Sequence, residues 1–284
     1  MRERDRVLSS LKTEAQRLTY TARTWVALLA RFGYATKGAV YMIIGLLAAL
    51  AAFNRGGRTT DSQGAFQEIL SQPYGQFLLG TVAIGLVGYT VWCCVQAIQD
   101  TEHRGSSAKG IIIRLGYGVV GFIHASLALS AVQLIMGVRT SYKGEESSKE
   151  WTAVLLAQPF GQWLVGIVGV GVLIAAIMQF YQAYTGDFRQ ELKRSEMSDS
   201  TELWAMQIGR IGLIARGIVF AVIGIFVLLA ATHANPNEAR GLRGALRVLE
   251  QQPLGPWVLG LIALGLMAYG IYMLVLACYR RIGV

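Results

Sequence analysis

The chain has 284 residues, 54% of them hydrophobic and only 15% charged, with a formal net charge of +9. Soluble domains carry about 25% charged residues, so the composition argues against a soluble enzyme. The 33 glycines agree, because membrane helices use glycine more freely than soluble ones do. A basic balance can also mean nucleic acid. Here, however, the cations lie at the N-terminus and between apolar runs rather than in one patch, which suits anionic lipid head groups better. Cys93, Cys94 and Cys278 all fall inside apolar runs with no zinc-ligand spacing, and read as small apolar side chains.

Residues 1–28 form a basic segment with Arg2, Arg4, Arg6, Lys12, Arg17 and Arg23 on one side of a helical pattern. Val7, Leu8, Leu11, Ala15, Leu18 and Ala22 lie on the other. The pattern predicts an amphipathic helix lying on the cytoplasmic membrane surface, with a frayed basic tail as the alternative. The charged part is too long for a cleavable signal peptide. Six apolar runs follow, at 31–53, 74–99, 114–138, 160–184, 210–232 and 254–279. Each approaches or exceeds the roughly 20 residues that a helix needs to cross a bilayer.

The second, fourth and sixth runs open on one repeated motif. It reads Gln72-Pro73-Tyr74-Gly75, then Gln158-Pro159-Phe160-Gly161, then Gln252-Pro253-Leu254-Gly255. The prolines are 86 and 94 residues apart, which makes the chain three copies of one unit. Short amphipathic runs at 65–70, 151–155 and 242–249 precede the motif and predict interfacial helices. Each ends where the Gln before Pro is pushed out of helical geometry. Pro73, Pro159 and Pro253 are then expected in the first turn of the next span, where a missing N–H costs nothing, with Gly75, Gly161 and Gly255 completing the turn. The fold class is all-α and integral to the membrane: three tandem two-span hairpins with short interfacial helices in a pseudo-threefold arrangement. Repeat 1 covers 29–103, repeat 2 covers 110–186, a cytoplasmic linker 187–207 and repeat 3 208–284. Eighteen of the 26 lysines and arginines fall on the side of the N-terminus, which predicts cytoplasmic termini and external Gln-Pro turns.

The odd-numbered spans share a second pattern. It is Arg31-x-Gly33-x3-Lys37-Gly38-x2-Tyr41-x3-Gly45 in repeat 1, and Arg210-x-Gly212-x3-Arg216-Gly217-x2-Phe220-x3-Gly224 in repeat 3. Repeat 2 reads Arg114-x-Gly116-x3-Val120-Gly121-x2-His124-x3-Ala128, with Val120 in place of the cation. Small residues seven apart share a helical stripe and predict a packing seam.

The paired motifs resemble the bacterial membrane-protein family called domain of unknown function 1206, built from tandem two-span units with an Arg-x-Gly start and a Pro-x-Gly turn. The resemblance covers roughly residues 30–280. It implies a bacterial cytoplasmic (inner) membrane location and assigns no activity. Val120 and Pro256 depart from the repeat pattern, which speaks against any role needing three identical positions.

Candidate chemistry is sparse. The spans hold no Asp or Glu, which counts against proton-coupled transport. No nucleophile, base and acid assemble into a hydrolase set, and no cofactor or metal is implied. His124 aligns with Tyr41 and Phe220, and reads either as a core position or as a ligand contact. Lys37 and Arg216 lie six residues beyond Arg31 and Arg210, or about 9 Å deeper in the membrane. Either they extend back to the head groups, or they line a basic pocket for an anionic lipid head group or small anion, with Arg31, Arg114 and Arg210 at its rim. The composite expectation is a non-enzymatic scaffold or accessory subunit that binds lipid, a protein partner or further copies of itself. The alternative is a channel or facilitator for a small solute or anion, lined by Gln96, Gln133, Gln179, Gln182 and His124. A lipid-directed enzyme is a weaker third.

Overall fold

The computed structural model describes residues 2–99, 101, 105, 107–138, 145–193 and 196–282, with side chains described from Thr24 onward except those of residues 109 and 145. Of the cations counted for orientation, Arg104, Arg139, Lys143 and Arg194 lie outside the described residues, as do the side chains of Lys109 and of the N-terminal cations. The fold is all-helical. Its long helices are α1 (Arg2–Ala52), α3 (Gly75–Gln99), α4 (Ala108–Ile135), α6 (Gly161–Thr185), α7 (Asp199–Thr232) and α9 (Gly255–Tyr279). All six are long and apolar enough to cross a membrane. Three short helices, α2 (Ser62–Ser71), α5 (Glu145–Leu156) and α8 (Leu242–Glu250), precede the Gln-Pro motifs where the amphipathic runs predict them.

Two local expectations change. The N-terminal segment is continuous with the first span in one 51-residue helix, about 76 Å long, rather than a separate surface helix. No proline occurs in this stretch and no glycine before Gly33, so nothing stops propagation. The disposition of its side chains lies outside the described residues.

The prolines, for their part, stand before the even spans rather than inside their first turn. Gly75 N–H donates to Gln72 O at 2.8 Å, Gly161 to Gln158 O at 2.9 Å and Gly255 to Gln252 O at 2.7 Å. Each closes a turn with proline second and a left-handed residue third, at φ 62° for Tyr74, 61° for Phe160 and 64° for Leu254. This is the type II arrangement, whose third place normally takes glycine. An L side chain there costs roughly 1–2 kcal/mol. The three side chains are 86%, 79% and 75% exposed beside the exposed Phe77, Trp163 and Trp257, and so form an apolar and aromatic girdle at this end of the bundle. The following glycine is fixed by close approach. A Cβ at Gly75 would stand 2.6 Å from Ile69 O, one at Gly161 2.6 Å from Leu155 O, and one at Gly255 would collide with the Glu250 carbonyl. Each span thereby starts directly against the end of its short helix.

Packing sets the order of the spans. α1 lies against α9 and α3, α3 against α4, and α7 against α9 and α6. The neighbours run α4, α3, α1, α9, α7, α6, so that each hairpin touches the other two. Among the described residues the two ends of this order, α4 and α6, share no packed interface.

Repeats 1 and 3 close their own hairpins through small residues. Gly33 meets Tyr89, where a Cβ would sit at 2.7 Å, and Gly212 meets Tyr269 in the same way at 2.5 Å. Gly85 lies on Thr36 and Gly265 on Ala215. The equivalent glycines of repeat 2, Gly116 and Gly171, have nothing within 4 Å. The place of the two tyrosines is taken there by Ala175.

Both ends of the bundle are filled. At the Gln-Pro end, Phe66 from α2 and Leu246 from α8 are wholly buried, and they share a core cluster with Ile44, Leu79, Leu259 and Leu266. At the opposite, linker end, Phe188 and Leu192 are buried with Trp92, Tyr272 and Leu276. Leu192 bridges to Arg280, and Lys193 N–H donates to Tyr279 O at 2.7 Å. Arg280 itself is buried, with its guanidinium 4.8 Å from the Tyr34 ring centre and 3.4 Å from Glu191. Burial lowers its pKa to about 10, so it stays charged at neutral pH.

The turn geometry makes a direct prediction. Gly161→Ala forces a methyl group onto a carbonyl and is expected to lose about 1–3 kcal/mol. Gly166→Ala, placed in open space, should stay within about 0.5 kcal/mol of the parent. Thermal unfolding of both variants in the same detergent checks this, and equal shifts would contradict it.

Candidate functional site

Lys37 on α1 and Arg216 on α7, the two helices that flank α9, converge in the interior of the bundle. They do so because each lies six residues into an odd span whose small-residue stripe brings α9 within backbone contact. A Cβ at Gly38 would meet Gly270 O at 2.7 Å. Both cations sit on one aromatic ring: Lys37 Nζ is 5.9 Å and Arg216 Cζ 4.8 Å from the centre of Tyr269. The level is set by α3 and α9. Tyr89 and Tyr269 each lie fourteen residues past the first residue of a 25-residue span, slightly beyond its middle.

Lys37 is only 7% exposed. Its Nζ donates to Tyr89 Oη at 3.2 Å and lies 4.7 Å over the same ring. It is therefore held in the interior rather than extended back to the head groups. Arg216 Nε donates to Tyr41 Oη at 3.2 Å, and one Nη donates to both Tyr269 Oη and Gln179 Oε1 at 3.1 Å. Its guanidinium also stacks 4.5 Å from the Phe220 ring centre. Tyr41 and Tyr269 meet edge to face at 4.8 Å. His124 meets the Tyr89 ring at a tilt of 53° with ring centres 4.5 Å apart, and its Nδ1 donates to Val120 O at 2.8 Å. A carbonyl only accepts, so Nδ1 carries the proton.

Counting donors and acceptors defines the chemistry. Every tyrosine oxygen named here accepts from a cation, and among the described residues the protons of Tyr41 and Tyr269 meet no acceptor. Gln179 is 6% exposed, and its Nε2 is buried without a partner while its Oε1 is taken by Arg216. Among the described residues, Lys37 uses one of its three N–H groups. Against this surplus the apolar runs at 31–53, 74–99, 114–138, 160–184, 210–232 and 254–279 hold no carboxylate, and Glu202, at the start of α7, pairs with Arg189. Glu191, beyond them, pairs with Arg280. Two cations held mid-membrane each cost about 2.5–3.5 kcal/mol on insertion scales. Cation–π contacts with tyrosine return roughly 0.5–2 kcal/mol apiece without cancelling the charge.

The other sequence candidates separate from this cluster. Arg114 turns to the end of α3, donating to Ala97 O at 2.7 Å and Ile98 O at 2.8 Å, where a cation satisfies the last carbonyls. Arg210 lies beside Gly186, the cap of α6, with its Nε buried and unpartnered. Arg31 is half-buried on α1. None of the three contacts Lys37 or Arg216 among the described residues. Gln96 is buried, while Gln133 and Gln182 are half-buried. The sequence reading passed over Tyr89 and Tyr269, although both stand sixteen residues after a motif proline. Among the described residues no three His, Cys, Asp or Glu side chains gather as metal ligands.

Six apolar spans, a threefold Pro-x-Gly turn and a buried cationic cluster define a multi-pass membrane protein made of repeated hairpins. The chain belongs to the family described as Domain of Unknown Function (DUF1206), which matches it three times, over residues 32–100, 115–186 and 211–280. It is 37% identical over 281 residues to "Uncharacterized protein YxxB" of Bacillus subtilis (strain 168), covering 99% of this chain and 98% of that one. No solved structure matches.

The hydrogen bonds of Arg216 are open to test. Tyr41→Phe removes one acceptor from a half-buried guanidinium and is expected to cost about 1.5–3 kcal/mol. Tyr181→Phe, at an exposed position, should be near neutral. Unfolding midpoints of the two variants check this, and a neutral Tyr41→Phe would show that the guanidinium bonds elsewhere.

Proposed function

We propose that this protein is a non-enzymatic accessory or scaffold protein of the bacterial cytoplasmic membrane that holds an anionic ligand between its helices. One observation carries the reading: Lys37 and Arg216 share a buried, donor-rich cluster that contains no carboxylate. Buried charges are normally paired. An oxyanion, such as an anionic lipid head group, would supply the missing charge and would accept from Lys37, from Gln179 Nε2 and from the free tyrosine protons. His124, beside Tyr89, belongs to the same site. The channel alternative fits less well, because buried apolar side chains fill the bundle on both sides of the cluster.

The distribution of lysine and arginine supports cytoplasmic termini. In a cysteine-free background, Ser71→Cys at the Gln-Pro end should react with an impermeant maleimide on intact cells. Ser198→Cys should react only after permeabilisation. The reverse pattern would invert the orientation.

The ligand reading is tested by native mass spectrometry of protein released gently from its own membrane. The parent should retain a stoichiometric anionic lipid or small anion. The Lys37→Gln/Arg216→Gln double variant should retain roughly tenfold less or lower still, since each lost charge-assisted hydrogen bond is worth about 1.5–3 kcal/mol. Equal retention would sink the proposal.

A further inference from the structure

One side of the cluster is bordered by two spans that do not pack on each other. Its two contributions from repeat 2 come from different helices: His124 on α4 stacks on Tyr89, and Gln179 on α6 holds Arg216. These are the two spans that lack a packed interface with each other. Both spans carry small residues with open space beside them. Gly116 and Gly171 have nothing within 4 Å, whereas their equivalents in repeats 1 and 3 are in tight contact. Val119, equivalent to Thr36 and Ala215, is 60% exposed. Repeat 2 has also lost its cation to Val120 and its tyrosine to Ala175. At the two ends of the bundle the way in is blocked, by Phe66 and Leu246 at the Gln-Pro end and by Phe188 and Leu192 at the linker end.

We infer that the α4–α6 side is a lateral entrance from the bilayer, and that the occupant of the cationic cluster is a lipid-tailed oxyanion. Its carboxylate or phosphate group meets Lys37, Arg216 and Gln179, and its apolar tail lies along Gly116, Val119 and Gly171. This rests on the anion-binding reading above and narrows it. A water-soluble anion would have to displace buried apolar plugs at one end, while an amphiphile already in the membrane meets neither. Charge complementarity selects the head group: the site offers positive charge and N–H and O–H donors, and an oxyanion is an acceptor throughout. The bilayer-exposed, glycine-lined walls of α4 and α6 suit a hydrocarbon chain.

The test uses the full chain in nanodiscs of phosphatidylcholine and measures equilibrium binding of three radiolabelled probes: palmitate, dioleoyl phosphatidic acid and inorganic phosphate. At least one tailed probe should bind saturably at one per chain, and inorganic phosphate should bind roughly tenfold more weakly or less. The two tailed arms tell a carboxylate from a phosphate source. Gly116→Leu/Gly171→Leu, which fills the opening, should weaken the tailed probe by about tenfold or more. Val119→Trp repeats that measurement through an already exposed side chain, should the glycine variant fail to fold. The Lys37→Gln/Arg216→Gln variant should lose binding altogether. Inorganic phosphate binding as tightly as the tailed probes, with both gap-filling variants unaffected, would overturn lateral entry while leaving the anion site standing. No binding of any probe to the parent would overturn both. A parent chain that runs as a dimer and crosslinks to its partner through α4 and α6 cysteines would assign the opening to a second copy and overturn the lipid assignment.

Discussion

Two positive charges, Lys37 and Arg216, sit in the interior of a membrane bundle, and no negative one stands beside them in the apolar runs. The rest of the interior is arranged around them. Three tyrosines place ring faces or hydroxyl oxygens on Lys37 and Arg216, so each charge keeps a partner. None of those partners neutralises it. Hydrogen bonds from hydroxyl and amide groups solvate a cation; they do not supply counter-charge. An anion entering this site would face donors already oriented, with little reorganisation required, and this is the physical content of preorganisation.

Backbone contact makes such an interior possible. Gly33, Gly38, Gly212 and Gly270 bring helices close enough for the large tyrosine rings to reach across. The same device explains why the repeat is not closed all round. In repeats 1 and 3 the tyrosine of the even span packs onto the glycine of the odd span, and this contact locks each hairpin. Ala175 offers no such side chain, and α4 and α6 stand apart. Divergence of one repeat thus turns a self-sealing bundle into one with an open side. Thr152, standing where α2 has Phe66 and α8 has Leu246, is a further loss of apolar plugging in the same repeat.

Much of the fold was legible from periodicity and repetition. Runs of twenty or more apolar residues are unambiguous, and a threefold Gln-Pro-x-Gly motif marks three equivalent turns whatever their detailed geometry. The left-handed residue after proline was not legible. Tyr74, Phe160 and Leu254 are poor choices for that backbone region, and only the packed short helix requires it. The continuity of α1 was hidden by the amphipathic pattern of residues 1–24, which says nothing about whether the helix breaks afterward. At the site, Lys37 and Arg216 were visible as cations set too deep in their spans, but their meeting depends on how α1, α9 and α7 pack. Gln179 comes from a different repeat and a different helix position, and no spacing within one copy points to it. Tyr89 and Tyr269 could have been found by aligning the even spans on their prolines, where Ala175 marks the exception.

The most direct measurement is a cryo-electron microscopy map of the protein in nanodiscs of its native lipid, at a resolution that separates side chains. A bound, lipid-tailed anion predicts non-protein density within hydrogen-bonding distance of Lys37 Nζ and Gln179 Nε2, extending toward the α4–α6 opening. A map with α4 packed on α6, no such density, and Lys37 or Arg216 paired with a protein carboxylate would contradict it.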